Sequence, residues 1–506
     1  MWFYLLLTLY SPLLFILAWK NFRLAIGLFI ISLPSYLIRF NIGPYPSTLL
    51  ELSFGILFLV WLLKHARRDW ANIQYLITNN KFFSVSCLLF LISSIASIFV
   101  SDMWYYSLGQ WRAYILEPMV VFVMLVGRTK TLAPSVSTQA DVNDGEDAIN
   151  RVSTKDLILF LTLSTLSISL VAILQKFTGS LYPPSLWDDQ LFGRVTSFFT
   201  SPNAVGLYLA PIILLALSVI ASRVRLSTLA QGDPEPGRMG RTRRSLSTPA
   251  QGYLERSRDG SLSTPAQGYL ERSRDGSNPP ASPTKPRDHD VARSSLLVMT
   301  LAVVSAALAI LLTRSEGTWA ALAAGVVVFA YLIGYKKTAV AAIVAGVLVG
   351  MAVPPLREAI LFQDQAGKNR LILWKYSTEY LTESPKNFIF GPGIRQFFRK
   401  IQKPYYDVKQ LERLVYPHNI FLNFWTETGF FGLVGFIGIY YSLLSTSFSL
   451  YKHRDTILGA GLIATLVVIF VHGLVDVPYF KNDLAILFWI LAAIVLGSEI
   501  KNKALV

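Results

Sequence analysis

Five side chains in this chain have types that suit a site for an anionic ligand such as pyrophosphate: His418, Arg194, Arg314, Arg370 and Arg395. Imidazole can exchange a proton near neutral pH, so His418 is a candidate base or ligand. Arginine keeps its charge and donates two parallel hydrogen bonds, which suits pyrophosphate. Arg194 opens the run R-V-T-S-F-F-T-S-P-N that ends at Asn203, and Arg314 lies in T-R-S-E-G-T-W at 313–319. Residues 367–381 read as a short helix in which Arg370 and Trp374, four apart, share a face. Arg395 follows Gly391-Pro392-Gly393, a turn that lets backbone amides approach a phosphate closely or serves only as a turn. His418-Asn419 follows Pro417, which suits a helix start and would place Phe421, Leu422 and Trp425 on the face of His418. Glu427 lies nine residues on, about 180° around such a helix, so a His418–Glu427 dyad is not expected. The alternative for all five is ordinary membrane-boundary behaviour, with a headgroup-bonded histidine and snorkelling arginines.

The elements that must position these residues are hydrophobic helices. The 506 residues are 53% hydrophobic and only 15% charged, with a mean hydropathy of +0.46. A soluble domain carries about 25% charge, so the composition is that of an integral membrane protein. Thirteen apolar stretches are candidate spans: 2–19, 24–40, 47–63, 82–100, 113–127, 156–177, 203–222, 295–312, 317–334, 338–353, 418–446, 457–475 and 484–499. The fold class is therefore all-α, a polytopic bundle of twelve or thirteen crossings. Basic residues at 64–68, 128–130, 223–294, 336–337, 452–454 and 501–503 mark the cytoplasmic side. Alternation then sets 101–112, 178–202, 313–316, 354–417 and 476–483 on the outer face and the C-terminus inside, leaving the N-terminus open. The outer loop 354–417 holds eleven Lys/Arg against six Asp/Glu, the reverse of the usual bias. Either it binds an anionic ligand or its length exempts it.

The organisation divides at 1–130, transmembrane; 131–155, a cytoplasmic linker; and 156–222, transmembrane with an outer loop. A cytoplasmic insertion, 223–294, separates these from transmembrane 295–353, the outer loop 354–417, and transmembrane 418–506. The sixteen-residue unit Leu246–Ser261 recurs as Leu262–Ser277. Its Pro/Gly/Ser/Arg composition offers too little apolar area to order it, and neither it nor the linker is assigned a function. Residues 66–80 are either an interfacial amphipathic helix or a plain linker. The first apolar run lacks a basic region and cleavage site and reads as a retained helix. The single cysteine, Cys87, excludes intrachain disulfides. The +15 net charge is spread over loops and points to lipid or an anionic substrate rather than to nucleic acid.

The order R-x-x-S-F-F-x-x-P-N, T-x-S-x-G, N-R-x-x-x-W, G-x-G-x-x-x-F and H-N-x-x-L-x-x-x-x-E-x-G-x-x-G-L resembles the bacterial O-antigen ligase and O-antigen polymerase superfamily, from about Arg194 to the end. His472-Gly-Leu-Val-Asp476 resembles its closing segment. One departure stands: Ser315-Glu316-Gly317 replaces the family's common S-R-G, with the arginine at Arg314 instead.

The resemblance implies a GT-C-like bundle with short helices in the outer loop. It implies transfer of a glycan from an undecaprenyl-pyrophosphate carrier, on the outer face of the bacterial cytoplasmic membrane, without metal, nucleotide sugar or other cofactor. The acceptor would be a hydroxyl on a glycolipid, another glycan or a protein. His418 and Arg370 would be catalytic, with His418 either the base or a pyrophosphate ligand. Arg194, Arg314 and Arg395 would bind the pyrophosphate, while Asn203, Trp374, Gly391, Gly393, Asn419 and Glu427 support them. Ligase, polymerase and protein-glycosylating variants stay open. A lipid-linked glycan transporter is the competing class, and it would call for inverted repeats and midplane charges.

Overall fold

Long runs of Leu, Ile, Val, Phe and Ala can satisfy their backbone in lipid only by coiling into helices, and helices dominate the chain. The computed structural model describes residues 2–43, 45–129, 150–182, 193–230, 286–404 and 414–503. The linker 131–149 and the tandem repeat at 246–277 lie outside them. Residues 1–223 with 295–506 form one compact unit. Residues 224–294 form a second, described only in the helical ends at 224–230 and 286–294.

The helices run in chain order α1 (Trp2–Lys20), α2 (Phe22–Ile31), α3 (Leu49–Lys64), α4 (Ala66–Asn79), α5 (Lys81–Val100), α6 (Trp104–Trp111) and α7 (Glu117–Arg128). Then come α8 (Thr154–Thr178), α9 (Pro202–Ala230), α10 (Pro286–Thr313), α11 (Glu316–Leu332), α12 (Lys336–Ala352) and α13 (Pro354–Ile360). The last five are α14 (Gln365–Thr382), α15 (Pro385–Phe390), α16 (Ile420–His453), α17 (Thr456–Gly473) and α18 (Asn482–Lys503). A short antiparallel hairpin pairs β1 (Arg39–Ile42) with β2 (Tyr45–Thr48).

Each of the thirteen apolar stretches holds a helix, but not all are spans by themselves. Among the described residues seven helices are long and apolar enough to cross, or nine if two sharply bent pairs count as one span each. The expected span at 24–40 is corrected: α2 stops after ten residues, about 15 Å of helix, and the chain goes on as a 3₁₀ turn and the hairpin. Its breakers are local, Ser32 at the C-cap and Pro34 in the turn. The span expected at 113–127 is longer: α6 and α7 join through a π-turn at Arg112–Leu116. Most of residues 66–80 form α4, set at 95° to α3, and it buries Asp69 and Asn72 beside Ile73 and Leu76. Buried Asp69 accepts from Arg128 Nη1 at 3.1 Å and from Trp61 Nε1 at 2.8 Å, which neutralises the guanidinium at the end of α7.

The centre of the bundle is α16 lying along α5, with α17 and α18 against it and α11 against α17. Close approach of α5 and α16 uses glycine: a Cβ at Gly435 would collide with the backbone of Phe90. α16 is broken at Gly429, where φ is 76° and ψ 175°, a conformation that favours glycine. The α5 hydroxyls of Ser97 and Ser93 donate to the carbonyls of Glu427 and Thr428 beside the break, at 2.5 and 2.6 Å. Irregular backbone at this depth is thus buried and satisfied within the protein.

Candidate functional site

Asn419 decides how His418 is presented. Its side chain caps α16 by accepting from the amides of Phe421 and Leu422, at 3.1 and 3.2 Å, so the helix begins at Ile420. The expectation that Pro417 opens the helix and that His418 shares a face with Phe421, Leu422 and Trp425 is corrected. His418 lies outside the helix with φ 51°, in the left-handed region. Pro417 instead contributes its carbonyl, which accepts from Trp374 Nε1 at 2.9 Å.

His418 Nδ1 lies 3.1 Å from Asp476 Oδ1, in the turn between α17 and α18. The other oxygen of Asp476 accepts from Asn203 Nδ2 at 3.1 Å, and Asn203 Oδ1 accepts from Arg194 Nη2 at 3.1 Å. Arg194 Nε donates to the Thr313 carbonyl at 2.7 Å, beside Arg314. One hydrogen-bonded chain therefore joins the loop before α9, the turn before α11, the turn after α17 and the start of α16. Burial opposes the charge of Asp476, but its hydrogen bond to His418 and the positive field of His418, His472 and Lys481 hold its carboxyl well below the usual range. Burial lowers Arg194; Glu316 acts against that and Arg314 adds to it.

Helix α14 holds these turns together. Arg370 Nε donates to the carbonyl of Val475, at 3.0 Å, the residue before Asp476. Trp374, one turn along, grips the residue before His418. Asn419 Nδ2 adds a bond to the Leu474 carbonyl at 3.2 Å. The shared face expected for Arg370 and Trp374 therefore has a use: it fixes both members of the dyad through their preceding carbonyls. Each backbone grip is worth about 1 kcal/mol. The terminal nitrogens of Arg370 make no hydrogen bond among the described residues.

Arg395 occupies a second arm. Its backbone N–H donates to Glu427 Oε2 at 2.9 Å, with φ 64°, and its guanidinium lies over the Tyr106 ring, 5.5 Å from the centroid. Gly391 and Gly393, at φ 66° and 95°, are buried; a Cβ on either would strike the backbone of α16 or of the α5 end. Their lack of a side chain therefore serves close docking of this loop. Ser107 Oγ to the Ile394 carbonyl, 2.9 Å, and Gln396 Nε2 to Ser101 Oγ, 2.7 Å, complete it. Glu427 is fully buried and turned to this loop, so it bonds to Arg395 and not to His418, although the helical spacing expected between them does not apply with His418 outside the helix. No hydrogen bond joins Arg395 to the His418 chain among the described residues. Tyr416 lies between them: it accepts from Gln110 at 2.9 Å and is two residues from His418.

Six non-glycine residues have positive φ among those described, and four of them, Ser197, Arg314, Arg395 and His418, fall in the sequence motifs singled out above. Each costs about 1–3 kcal/mol and persists only where its surroundings over-determine it. Asp476 and His472 are the polar residues to which sequence spacing assigned no role. His472 Nε2 is 3.4 Å from Thr318 Oγ1 beneath the T-x-S-x-G turn. The signal for both was present in the closing segment, but their partners are 58 and 154 residues away.

The fold defines a multi-pass membrane protein with a charged cluster of left-handed residues where its longer loops meet. A family model described as O-Antigen ligase matches residues 301–437, the stretch from α10 to α16 that contains Arg314, Arg370, Arg395, His418 and Glu427. Over that stretch the chain is similar to the O-antigen ligase family, the family that the ordered motifs resemble. No curated protein matches the chain. The match supports a ligase- or polymerase-type, glycosyltransferase-like reading of this stretch, in a chain with at least seven helices apolar enough to cross a membrane among the described residues.

Proposed function

We propose that the chain transfers a glycan from an undecaprenyl-pyrophosphate carrier to an acceptor hydroxyl on the outer face of the cytoplasmic membrane, as an O-antigen ligase does. The observation that carries this reading is the His418–Asp476–Asn203–Arg194 chain, which couples a base to a cation across three connecting segments. With Nδ1 directed at Asp476, the Nε2 of His418 is the nitrogen left for the acceptor hydroxyl. It takes the hydroxyl proton as the acceptor oxygen bonds to the anomeric carbon and the bond from that carbon to the pyrophosphate oxygen breaks. Negative charge grows on the departing pyrophosphate. Arg370, with its terminal nitrogens uncommitted, stabilises that charge together with Arg194, Arg314 and Arg395. These four cations supply the charge that metal ions provide to other pyrophosphate leaving groups, so EDTA is expected to leave the rate unchanged.

The decisive experiment assays transfer in membranes from a deletion strain carrying wild type, H418A or R370A at matched abundance. Both variants are expected to lose transfer, and retained transfer in both overturns the mechanism. Accumulation of free lipid-linked polymer in the deletion strain marks a ligase; accumulation of single repeat units marks a polymerase.

A further inference from the structure

The corner of the bundle where α11 turns into α12 carries a feature that glycan transfer does not use. α12 packs on α11 and meets α13 at its end, and the rest of its surface is open. An open groove of about 710 Å³ runs along α12, with Tyr331 of α11, Lys336 and Lys337 at one end and Val340, Val344 and Leu348 along its length. That volume is within the range of small-molecule sites. The three apolar residues repeat every four positions, so they form one continuous strip, and they are 52%, 52% and 64% exposed. Lys336 Nζ sits 5.7 Å from the Tyr331 ring centroid. The Tyr451 hydroxyl donates to the Leu332 carbonyl at 3.0 Å, which brings the end of α16, with Lys452 and Arg454, to the same corner. Lys336, Lys337, Lys452 and Arg454 are all exposed, and none makes a salt bridge among the described residues. The neighbouring carboxylate, Asp455, caps α17 by accepting from Leu458 N at 3.0 Å.

We propose that this groove binds an anionic phospholipid, its phosphate among Lys336, Lys337, Lys452 and Arg454 and one acyl chain along Val340, Val344 and Leu348. The charge complementarity selects this occupant. Topology alone accounts for basic residues at each of these helix ends, but not for their convergence from two helices at the mouth of one groove, and a bare anion site needs no apolar strip of about 12 Å leading from it. The site lies at the opposite end of α12 from the loops that carry Arg370 and His418.

The test uses the full chain, purified in a zwitterionic detergent and titrated with phosphatidylglycerol or phosphatidylcholine while retained lipid is counted by native mass spectrometry. Phosphatidylglycerol is expected to bind about tenfold or more tightly than phosphatidylcholine. K336Q/K337Q should bring the two near parity, and A341W, which fills the groove, should reduce retention of phosphatidylglycerol. Inorganic phosphate at matched ionic strength should displace none of it. Equal binding of both lipids by the wild type, an unchanged preference in K336Q/K337Q, undiminished retention in A341W, or displacement by phosphate each overturns the proposal.

Discussion

The His418 arm and the Arg395 arm solve one problem in opposite ways. Each presents a residue with a left-handed backbone beside a buried carboxylate. Asp476 takes the side chain of its residue: it holds the imidazole at 3.1 Å and leaves Nε2 outward. Glu427 takes the backbone of its residue: it holds the N–H of Arg395 at 2.9 Å and leaves the whole guanidinium outward over Tyr106. A base needs its tautomer and ring plane fixed, so the carboxylate must touch the ring. An arginine that meets a bulky leaving group needs only its root fixed. The difference teaches that similar carboxylates at similar depth do different work according to the atom they hold.

The largest expected effect tests the side-chain arm. H418A should lower transfer by about 10²–10⁴. D476N should lower it by no more than that, because Asp476 acts through His418, and H418A/D476N should be no slower than H418A alone. An additive double variant, measured as initial rates at matched membrane abundance, breaks the idea of one unit. R370A comes next, with a loss of about 10²–10³ from removing leaving-group stabilisation. R370K should not restore the rate, since lysine has no fork with which to hold Val475 and still reach a phosphate. Recovery by R370K would reduce Arg370 to a point charge.

The Asp476 carboxylate also sets a pH dependence. Its folded pKa lies below the ordinary Asp value of about 3.9, so the stability it contributes is fully present above that value and is lost as pH falls through the folded pKa. Transfer between pH 5 and 8 should therefore show no titration of Asp476. Thermal melts of the solubilised protein should fall at acid pH below the ordinary carboxylate range, with a slope that D476N reduces. An unchanged acid slope in D476N would show that the carboxyl is not held low. W374F is smaller again: it removes the bond to the Pro417 carbonyl, about 1 kcal/mol, and should slow transfer about fivefold with the melt little changed.

How much of this was legible in the chain follows from the range of each interaction. Helix positions were, because lipid forces each apolar run to satisfy its own backbone, and the misread span at 24–40 failed where Ser32 and Pro34 interrupt a run that hydropathy alone carries on. The arginines and His418 were legible as types in motifs, and Glu427 was set apart from His418 by helical spacing even though His418 proved to lie outside the helix. The role of Asp476 was not legible. Its partner is 58 residues away, and the packing of α14 against both turns, with the Asn419–Leu474 bond, brings them together. The left-handed backbone of His418 was hidden for a related reason: Asn419 takes the cap and starts α16 one residue later than Pro417 suggests.

The smallest predicted effect separates the two arms most sharply. In E427Q an amide oxygen replaces the carboxylate that accepts from Arg395 N–H. An acceptor remains, so the change is at most that of one weakened hydrogen bond, about 1 kcal/mol, or roughly fivefold in rate. The second oxygen, Oε1, is buried and has no hydrogen-bond partner among the described residues, so an amide nitrogen there displaces none of the bonds described. E427L removes the acceptor altogether and frees the loop from its anchor, so its transfer should fall toward that of R395A. E427L/R395A should be no worse than R395A, because the carboxylate acts only through the arginine it roots. A loss in E427Q as deep as that in H418A would mean that Glu427 takes part in the chemistry, and the division between a held side chain and a held backbone would fail.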